Sequence, residues 1–256
     1  MDGSESERLY DTYTRWFEVI RADTDDLRDE VYRLRYHVLA VEHPYLDPED
    51  YPDGRERDEF DDHAAHSPLI RRPSGTVAGT VRVVLPFQNG EFRKLPIQDH
   101  CHDPLVNDPS RFPVQRMGEI SRFSVSKTFR RRLTDTMYPD VLDERIGMPP
   151  EASEIRRAMP HITLGLMQAI VAMCTENGLA FVCASMEKQL LRLLGRVGVY
   201  FDEVGPLVEL FGLRQPCYRN LHDLLGQVRK ERHDVWDVLT DDGALWDAVR
   251  RIDSRS

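Results

Sequence analysis

This sequence contains no run of about 18 apolar residues, the length a membrane-crossing helix requires. Its longest apolar stretch, Ile162 to Cys174, is too short and carries Thr163 and Gln168. The chain opens on Met-Asp-Gly-Ser-Glu-Ser-Glu, with neither a basic nor an apolar segment, which predicts no secretory leader. Cysteine is scarce: Cys101, Cys174, Cys183 and Cys217 lack paired spacing, and two lie in apolar segments, the pattern of a reduced, cytoplasmic protein without disulfides. There is no internal repeat, no low-complexity tract, and no Gly-rich phosphate loop of the Rossmann or Walker type.

The 256 residues, 41% of them hydrophobic, suffice to bury a core of one large domain or two small ones. Acids outnumber bases, 44 to 34, for a net charge of -10, and mean hydropathy is -0.50, a balance that weighs against non-specific nucleic-acid binding. The charge is segregated. Glu42 to Asp62 is strongly acidic, whereas Arg111 to Arg132 is basic with Glu119 its one acid. Such segments read either as solvated loops or as the face on which an acidic partner docks.

Helix and strand signals alternate. Leu9, Tyr13, Trp16, Phe17 and Ile20 predict an amphipathic helix over 9–20. Thr24-Asp25-Asp26 caps a second helix carrying Leu27, Val31, Leu34 and Val38 on one stripe, with Arg35 off it. A Pro-, Asp- and Gly-rich loop follows over 43–58, long enough to suggest a lid or site loop. Ser67 to Arg71 and Thr76 to Leu85, joined by Pro73-Ser74-Gly75, read as a hairpin. Residues 86 to 113 read as irregular, and Glu119 to Val125 as a strand with one polar face. Residues 126 to 160 show little periodicity. A buried helix is expected from His161 to Asn177, a strand from Leu179 to Ser185, and a helix from Glu187 to Val197 with Leu190, Leu191, Leu193 and Leu194 inward and Lys188, Arg192 and Arg196 outward. Tyr200 to Val204 and Leu207 to Phe211 read as a final strand pair, with helix after Pro216. The order implies an α/β layer with helices on both faces of the sheet.

Three charged clusters interrupt apolar elements, which a plain core avoids. Asp58-Glu59-Phe60-Asp61-Asp62 stands at the entry to the first strand; Arg82 lies within Val-Arg-Val-Val, where a guanidinium needs an anionic partner; and Glu119-Ile120-Ser121-Arg122 sends Glu119 and Ser121 to one side and Arg122 to the other. A charge network on a sheet edge would account for them. So would a site, since a Glu on a central strand has its pKa raised by burial and its geometry held by Arg, as a general base requires. Asp99-His100-Cys101-His102-Asp103 has no second half and makes a poor tetrahedral metal site. His63 and His66 read as polar loop residues beside the acidic cluster, and Cys183 as a buried thiol.

Val31-Tyr-Arg-Leu-Arg-Tyr-His-Val38, then Glu42 and Tyr45, resembles the N-terminal signature of acyl-homoserine-lactone autoinducer synthases and related N-acyl amino acid synthases. Arg35, Leu39 and Tyr45 fit that pattern, with Tyr where Trp is usual. Asp58-Glu-Phe-Asp61 resembles the acidic pair, although Glu59 and Asp62 share its spacing; Arg82 resembles the strand arginine, and Glu119-Ile-Ser-Arg122-Phe the Glu-x-Ser-Arg strand. Met186-Glu-Lys-Gln-Leu-Leu-Arg-Leu-Leu-Gly-Arg-Val-Gly, Val204-Gly-Pro and Gly212-Leu-Arg-Gln-Pro are similar to the branch of acyltransferases associated with PEP-CTERM/exosortase protein sorting.

The resemblance implies a GNAT acyltransferase-like fold, a mixed central sheet flanked by helices, over 1–225 (N-terminal helices 9–41, acidic loop 42–62), with a C-terminal helical extension over 226–256. It implies an N-acyltransferase that moves a fatty acyl group from an acyl-carrier-protein thioester to the amine of an amino acid or related molecule, without metal or other cofactor. Glu119, Arg82 and Ser121 would be catalytic. Arg35, Tyr45, Asp58, Asp61, Arg122, Ser124 and Val125 would shape the substrate site, with Arg82 or Arg122 holding an acceptor carboxylate and the backbone near Ser124 and Val125 an oxyanion. Lys127, Arg130, Arg131 and Arg132 stand where coenzyme A enzymes carry a Gly-rich pyrophosphate loop. With Lys188, Arg192 and Arg196 they would bind an acidic acyl carrier protein, which makes acyl-CoA the less favoured donor. A homoserine-lactone synthase and a non-catalytic carrier-binding module are the alternatives.

Overall fold

The computed structural model describes residues 7–86, 94–126 and 150–254, and the side chains of all of these except 150–160. In chain order the elements are α1 (Leu9–Trp16), β1 (Phe17–Val19), α2 (Asp25–Tyr36), β2 (Ala64–Arg71), β3 (Thr76–Val84), α3 (Ile97–His100), β4 (Met117–Val125), α4 (Pro150–Glu176), β5 (Phe181–Met186), α5 (Lys188–Gly195), β6 (Asp202–Glu203), β7 (Val208–Glu209), β8 (Leu213–Asn220), α6 (Leu221–Glu231), α7 (His233–Leu239) and α8 (Trp246–Asp253). The strands form one sheet in the order β1-β2-β3-β4-β5-β8-β6, with β7 also on β8. Every pairing is antiparallel except β4 with β5, which is parallel. Among the described residues no helix is long and apolar enough to cross a membrane.

Alternation along the strands divides the interior in two. Val81, Val83, Ile120, Val182 and Ala184 point to the principal core, where they meet Tyr13 of α1, Ile170 and its neighbours on α4, and Leu225, Val228, Val235, Val238 and Val249 of the last three helices. The residues beyond 226 thus share the same core as the sheet. On the opposite face Val84, Met117 and Cys183 pack with Leu95, Ile97, Cys101, Val106 and Phe112, supplied by the segment between β3 and β4. All four cysteines are free thiols and buried.

Several local signals act as the sequence predicts. Thr24 caps α2, its side chain accepting the Leu27 N–H at 3.3 Å. The turn between β2 and β3 places Gly75 at φ 65°, a left-handed conformation open to glycine at little cost. Tertiary pairing overrides propensity elsewhere. The first predicted helix stops at Trp16, because Phe17 is extended (φ -131°, ψ 153°) and β1 adds to the edge of β2. α4 begins at Pro150, not at His161, with proline in the first helical position where its missing N–H costs nothing. On α5, Leu194 is buried but Leu193 is 40% exposed, so the helix turns a narrower face inward than predicted.

The predicted final strand pair is corrected: β6 and β7 do not pair with each other but each lies against β8. The helix expected after Pro216 begins only at Leu221, because Leu213–Asn220 is strand β8 with Pro216 inside it. β8 tolerates the proline because its neighbour on that side, β6, is very short, and the Pro216 carbonyl still accepts the Val204 N–H at 2.8 Å.

Candidate active site

The β4–β5 pairing begins at Met117↔Phe181 and ends at Ile120↔Ala184, yet β4 continues to Val125 and β5 to Met186. Beyond Ile120 the central sheet therefore opens into a wedge whose two walls are strand edges. β4 is also bulged there. Thr80 pairs with Ser124 and Arg82 with Ser121, so β4 spends one residue more than β3 between those pairs, and Arg122 takes a left-handed φ of 51°. Upstream, a Cβ on Gly79 would stand 2.9 Å from the Ser124 carbonyl oxygen, so β3 can follow the distorted β4 only with glycine there.

The bulge corrects the predicted orientation of Arg122. Strict alternation sends it away from Ser121; the extra residue instead brings its guanidinium to Asp58, which Arg82 also holds, and to Glu56, which Arg35 holds. Arg122 Nη2 donates to Glu56 at 2.9 Å and to Asp58 at 2.7 Å. Four of the five Arg82 N–H groups are engaged: Nη1 and Nη2 donate to Asp58 at 2.5 and 3.0 Å, Nη1 also to Asp61 at 2.7 Å, and Nε to Ser121 Oγ at 2.9 Å. Arg35, fully buried, donates to Asp61 through both Nη atoms at 2.7 and 2.9 Å and to Glu56 through Nε at 2.5 Å. Three guanidinium groups from α2, β3 and β4 thus meet three carboxylates from the segment after α2, charge cancels, and α2 is tied to the middle of the sheet.

This geometry fixes the register of the acidic pair. Asp58 and Asp61 turn inward, the Asp58 N–H donating to Asp61 Oδ2 at 2.8 Å, while Glu59 and Asp62 are exposed. Part of the acidic loop is accordingly no solvated surface. Arg35 also belongs to the buried face of α2 with Val31, a face that Val38 continues just past the end of the helix, where a stripe drawn from apolar residues alone leaves it out. Burial would raise the pKa of each carboxylate, but guanidinium contacts win: Asp61 is held well below the usual range by Arg35, Glu56 is lowered by Arg122 and Arg35, and Asp58 by Arg82. His66 is not a loop residue; it lies buried on β2, edge-on to Tyr32 at 5.7 Å. Burial pushes its pKa down to about 4, against the attraction of Asp61, so at neutral pH it adds no charge to the network.

Glu119 is the exception to charge pairing. It stands between Val84 and Cys183 in the sheet, on the face of the second core, and is 4% exposed. The Ile97 N–H at the start of α3 donates to Oε2 at 2.7 Å, which leaves Oε1 to carry a proton. Burial raises the pKa to about 8, against lowering by that hydrogen bond and by the charges of Arg82 and Arg122, and with Asp99 raising it further. A carboxyl poised near neutrality, two residues along the strand from Ser121 and the mouth of the wedge, has the properties of a general base.

The other predicted residues divide. Ser124, buried, and Val125 lie on the arm of β4 that pairs with β3 but not with β5. Tyr45 is outside the ion network: it is 39% exposed, stacks on His43 at 5.5 Å and leans on Phe211 at 6.2 Å. Phe211 in turn lies under Arg122, 6.0 Å from its guanidinium carbon, and so joins Tyr45 to the rim of the site. Lys188, Arg192 and Arg196 are exposed on and just after α5, whereas Lys127, Arg130, Arg131 and Arg132 fall outside the described residues. Among the described residues no group of three or more His, Cys, Asp or Glu side chains is placed to hold a metal ion. Sequence reasoning missed Glu56, whose carboxylate serves both Arg35 and Arg122, and Phe211, which no motif marks.

Residues 34–139 match the family model of the acetyltransferase (GNAT) domain. Among solved structures, TofI in a ternary complex with an inhibitor and MTA is 16% identical, with 83% of this chain and 96% of that one aligned at a TM-score of 0.56. MesI, a CoA-dependent acyl-homoserine lactone synthase, is 14% identical over 85% of this chain and 95% of its own, with a TM-score of 0.51. FeeM, an N-acyl amino acid synthase from uncultured soil microbes, is 12% identical over 82% and 94%, with a TM-score of 0.50. No curated protein sequence matches the chain. The mixed sheet opened between its parallel strands, with helices on both faces, is the GNAT-like acyltransferase fold.

Proposed function

We propose that this chain, built on a GNAT-like acyltransferase fold, is an N-acyltransferase that moves a fatty acyl group from an acyl-carrier-protein thioester to the amine of an amino acid or related small molecule. The observation that carries this reading is Glu119, a buried carboxyl with a pKa near 8 beside the opening between β4 and β5. The thioester would enter the wedge along β4. Glu119, directly or through a water, would take a proton from the acceptor ammonium. The free amine would attack the carbonyl, backbone N–H groups near Ser124 and Val125 would stabilise the oxyanion, and the carrier thiol would leave.

Arg35, Arg82, Glu56, Asp58 and Asp61 would form the rigid wall of the acceptor pocket. Since Arg82 has four of its five N–H groups engaged and its side chain is 2% exposed, an acceptor carboxylate would be met by Arg122, whose side chain is 16% exposed at the rim beside Phe211 and Tyr45. The basic run Lys127, Arg130, Arg131, Arg132 and the exposed row Lys188, Arg192, Arg196 support a carrier protein as donor, by charge complementarity with an acidic surface. The relation to PEP-CTERM/exosortase systems rests on the sequence motifs.

The pH profile tests the role of Glu119. Burial sets its titration, with the Ile97 N–H, Arg82 and Arg122 lowering it and Asp99 raising it. Because the proton must be off before Glu119 can accept one, kcat/KM for amide formation should rise with pH and level above about 8, the value set by burial. Glu119→Gln should keep only the limb contributed by the acceptor amine. A wild-type profile superimposable on that of the variant removes the base from this reading.

A further inference from the structure

Among the described residues, four other than glycine take a left-handed φ: Arg122, Phe211, Asp241 and Asp242. The two aspartates tolerate it, because a short polar side chain fits that region. Arg122 and Phe211 are bulky, and for such side chains the conformation costs free energy that surrounding contacts must offset. These two are distant in sequence, yet the Phe211 ring lies 6.0 Å from the Arg122 guanidinium carbon. Phe211 stands at the tip of the β7–β8 hairpin, where Glu209 pairs with Leu213 and the Leu210 N–H donates to the Gly212 carbonyl at 2.9 Å. Turn chemistry favours Gly or Asn at such a position. Arg214 on β8 holds the strained tip. Its Nε donates to the Leu210 carbonyl at 3.1 Å, its Nη2 to that of Phe211 at 2.8 Å, and its Nη1 pairs with Glu187 just before α5. The same guanidinium lies 5.8 Å from the ring of Tyr45.

On Arg122 the ion network engages one edge of the guanidinium. Nε donates to both Glu56 oxygens at 3.1 Å and Nη2 to Glu56 and Asp58, while Nη1 has no hydrogen-bond partner among the described residues. We propose that Phe211 is a positioning residue for the acceptor: its ring, fixed by Arg214, supports the Arg122 guanidinium so that Nη1 is presented to the acceptor's carboxylate. This rests on the acyl-transfer reading above, in which Arg122 meets that carboxylate, and assigns what aims it. An aromatic ring attracts a guanidinium through its quadrupole and takes none of its N–H donors, a support that a further carboxylate in the same place could not give. The place is open to a small molecule, since Phe211 is 36% and Tyr45 39% exposed. A ring that served only the fold would be buried on relaxed backbone. Phe211 is exposed, with φ 52°.

Two variants without the ring separate this role from a structural one. Phe211→Gly and Phe211→Asn both suit the left-handed backbone, so each should melt within about 3 °C of wild type. Amide formation is measured on the full chain with hexanoyl- and hexadecanoyl-pantetheine thioesters, pairing each acceptor with the amine that lacks its carboxylate: leucine with 3-methylbutylamine, phenylalanine with 2-phenylethylamine. Expected in both variants is a KM for the amino acids raised about three- to thirtyfold, with kcat and the KM of the matched amines within about twofold of wild type. Phe211→Tyr, which keeps the ring, should restore the wild-type KM. On an Arg122→Gln background Phe211→Gly should add nothing, because its effect passes through that side chain. The proposal is overturned by an amino-acid KM within about twofold of wild type in both variants, by an equal rise for the matched amines, or by an undiminished effect without Arg122. Wild-type amide in the same samples reports on the acyl-transfer reading by itself: amide with unchanged Phe211 variants leaves that reading standing, whereas no amide from any acceptor removes both.

Discussion

Replacing Glu119 with Gln should lower the rate of amide formation by about 10²–10⁴-fold, the range a positioned general base supplies, while making the folded chain more stable. The second half follows from burial. A carboxyl whose folded pKa of about 8 lies above its ordinary value contributes stability that is complete at low pH and is lost as pH rises through the folded value. Near pH 8 the cost of holding it is on the order of 4 kcal/mol, and Gln, which stays neutral and can accept the same Ile97 N–H, does not bear it. In a chain of this size that gain corresponds to a rise in Tm of several degrees at pH 8, shrinking toward zero at pH 4. Thermal melts of both proteins across that range check it. A purely structural Glu119 predicts the reverse, a variant less stable at every pH.

Removing Arg35 should have the largest effect on folding. Arg35→Met leaves Glu56 and Asp61 buried with too little positive charge, and breaking a buried pair of this kind costs about 3–5 kcal/mol. That is a large part of the stability of an ordinary domain. Arg35→Lys recovers only part, because a single ammonium cannot reproduce the fork that bonds Asp61 twice while Nε holds Glu56. By contrast Lys188→Ala or Arg192→Ala on α5, both exposed, should change stability by less than about 0.5 kcal/mol. Urea unfolding of the four variants separates these cases; an Arg35→Met midpoint equal to wild type would show that the network is dispensable.

How much of this was legible in the sequence depends on range. Local signals held: the Thr24 cap, the β2–β3 hairpin with its Gly75 turn, and the polar interruptions at Asp58, Arg82 and Glu119. What failed was set by contacts distant in sequence. Phe17 has helical spacing but a sheet edge to join. Arg35 shares a buried face with Val31 and Val38, but a stripe drawn from apolar residues omits it, because the carboxylates that let it be buried, Glu56 and Asp61, are distant in sequence. Arg122 was assigned to the wrong face since one extra residue on β4 reverses alternation, and a bulge has no mark of its own in Glu-Ile-Ser-Arg-Phe. β8 was hidden by Pro216, whose tolerance depends on a neighbour as short as β6. The site was therefore visible as a set of residue types, while its closure into an ion network and the opening of the sheet beside Glu119 came from the fold.

Mass spectrometry of lipid extracts from cells producing the wild type and the Glu119→Gln variant tests the central claim most directly. The account predicts an N-acylated amine that is present with the wild type and absent, or reduced about a hundredfold or more, with the variant. Its fragmentation would name both the acyl chain and the acceptor. Identical extracts from the two would contradict acyl transfer to an amine with Glu119 as base.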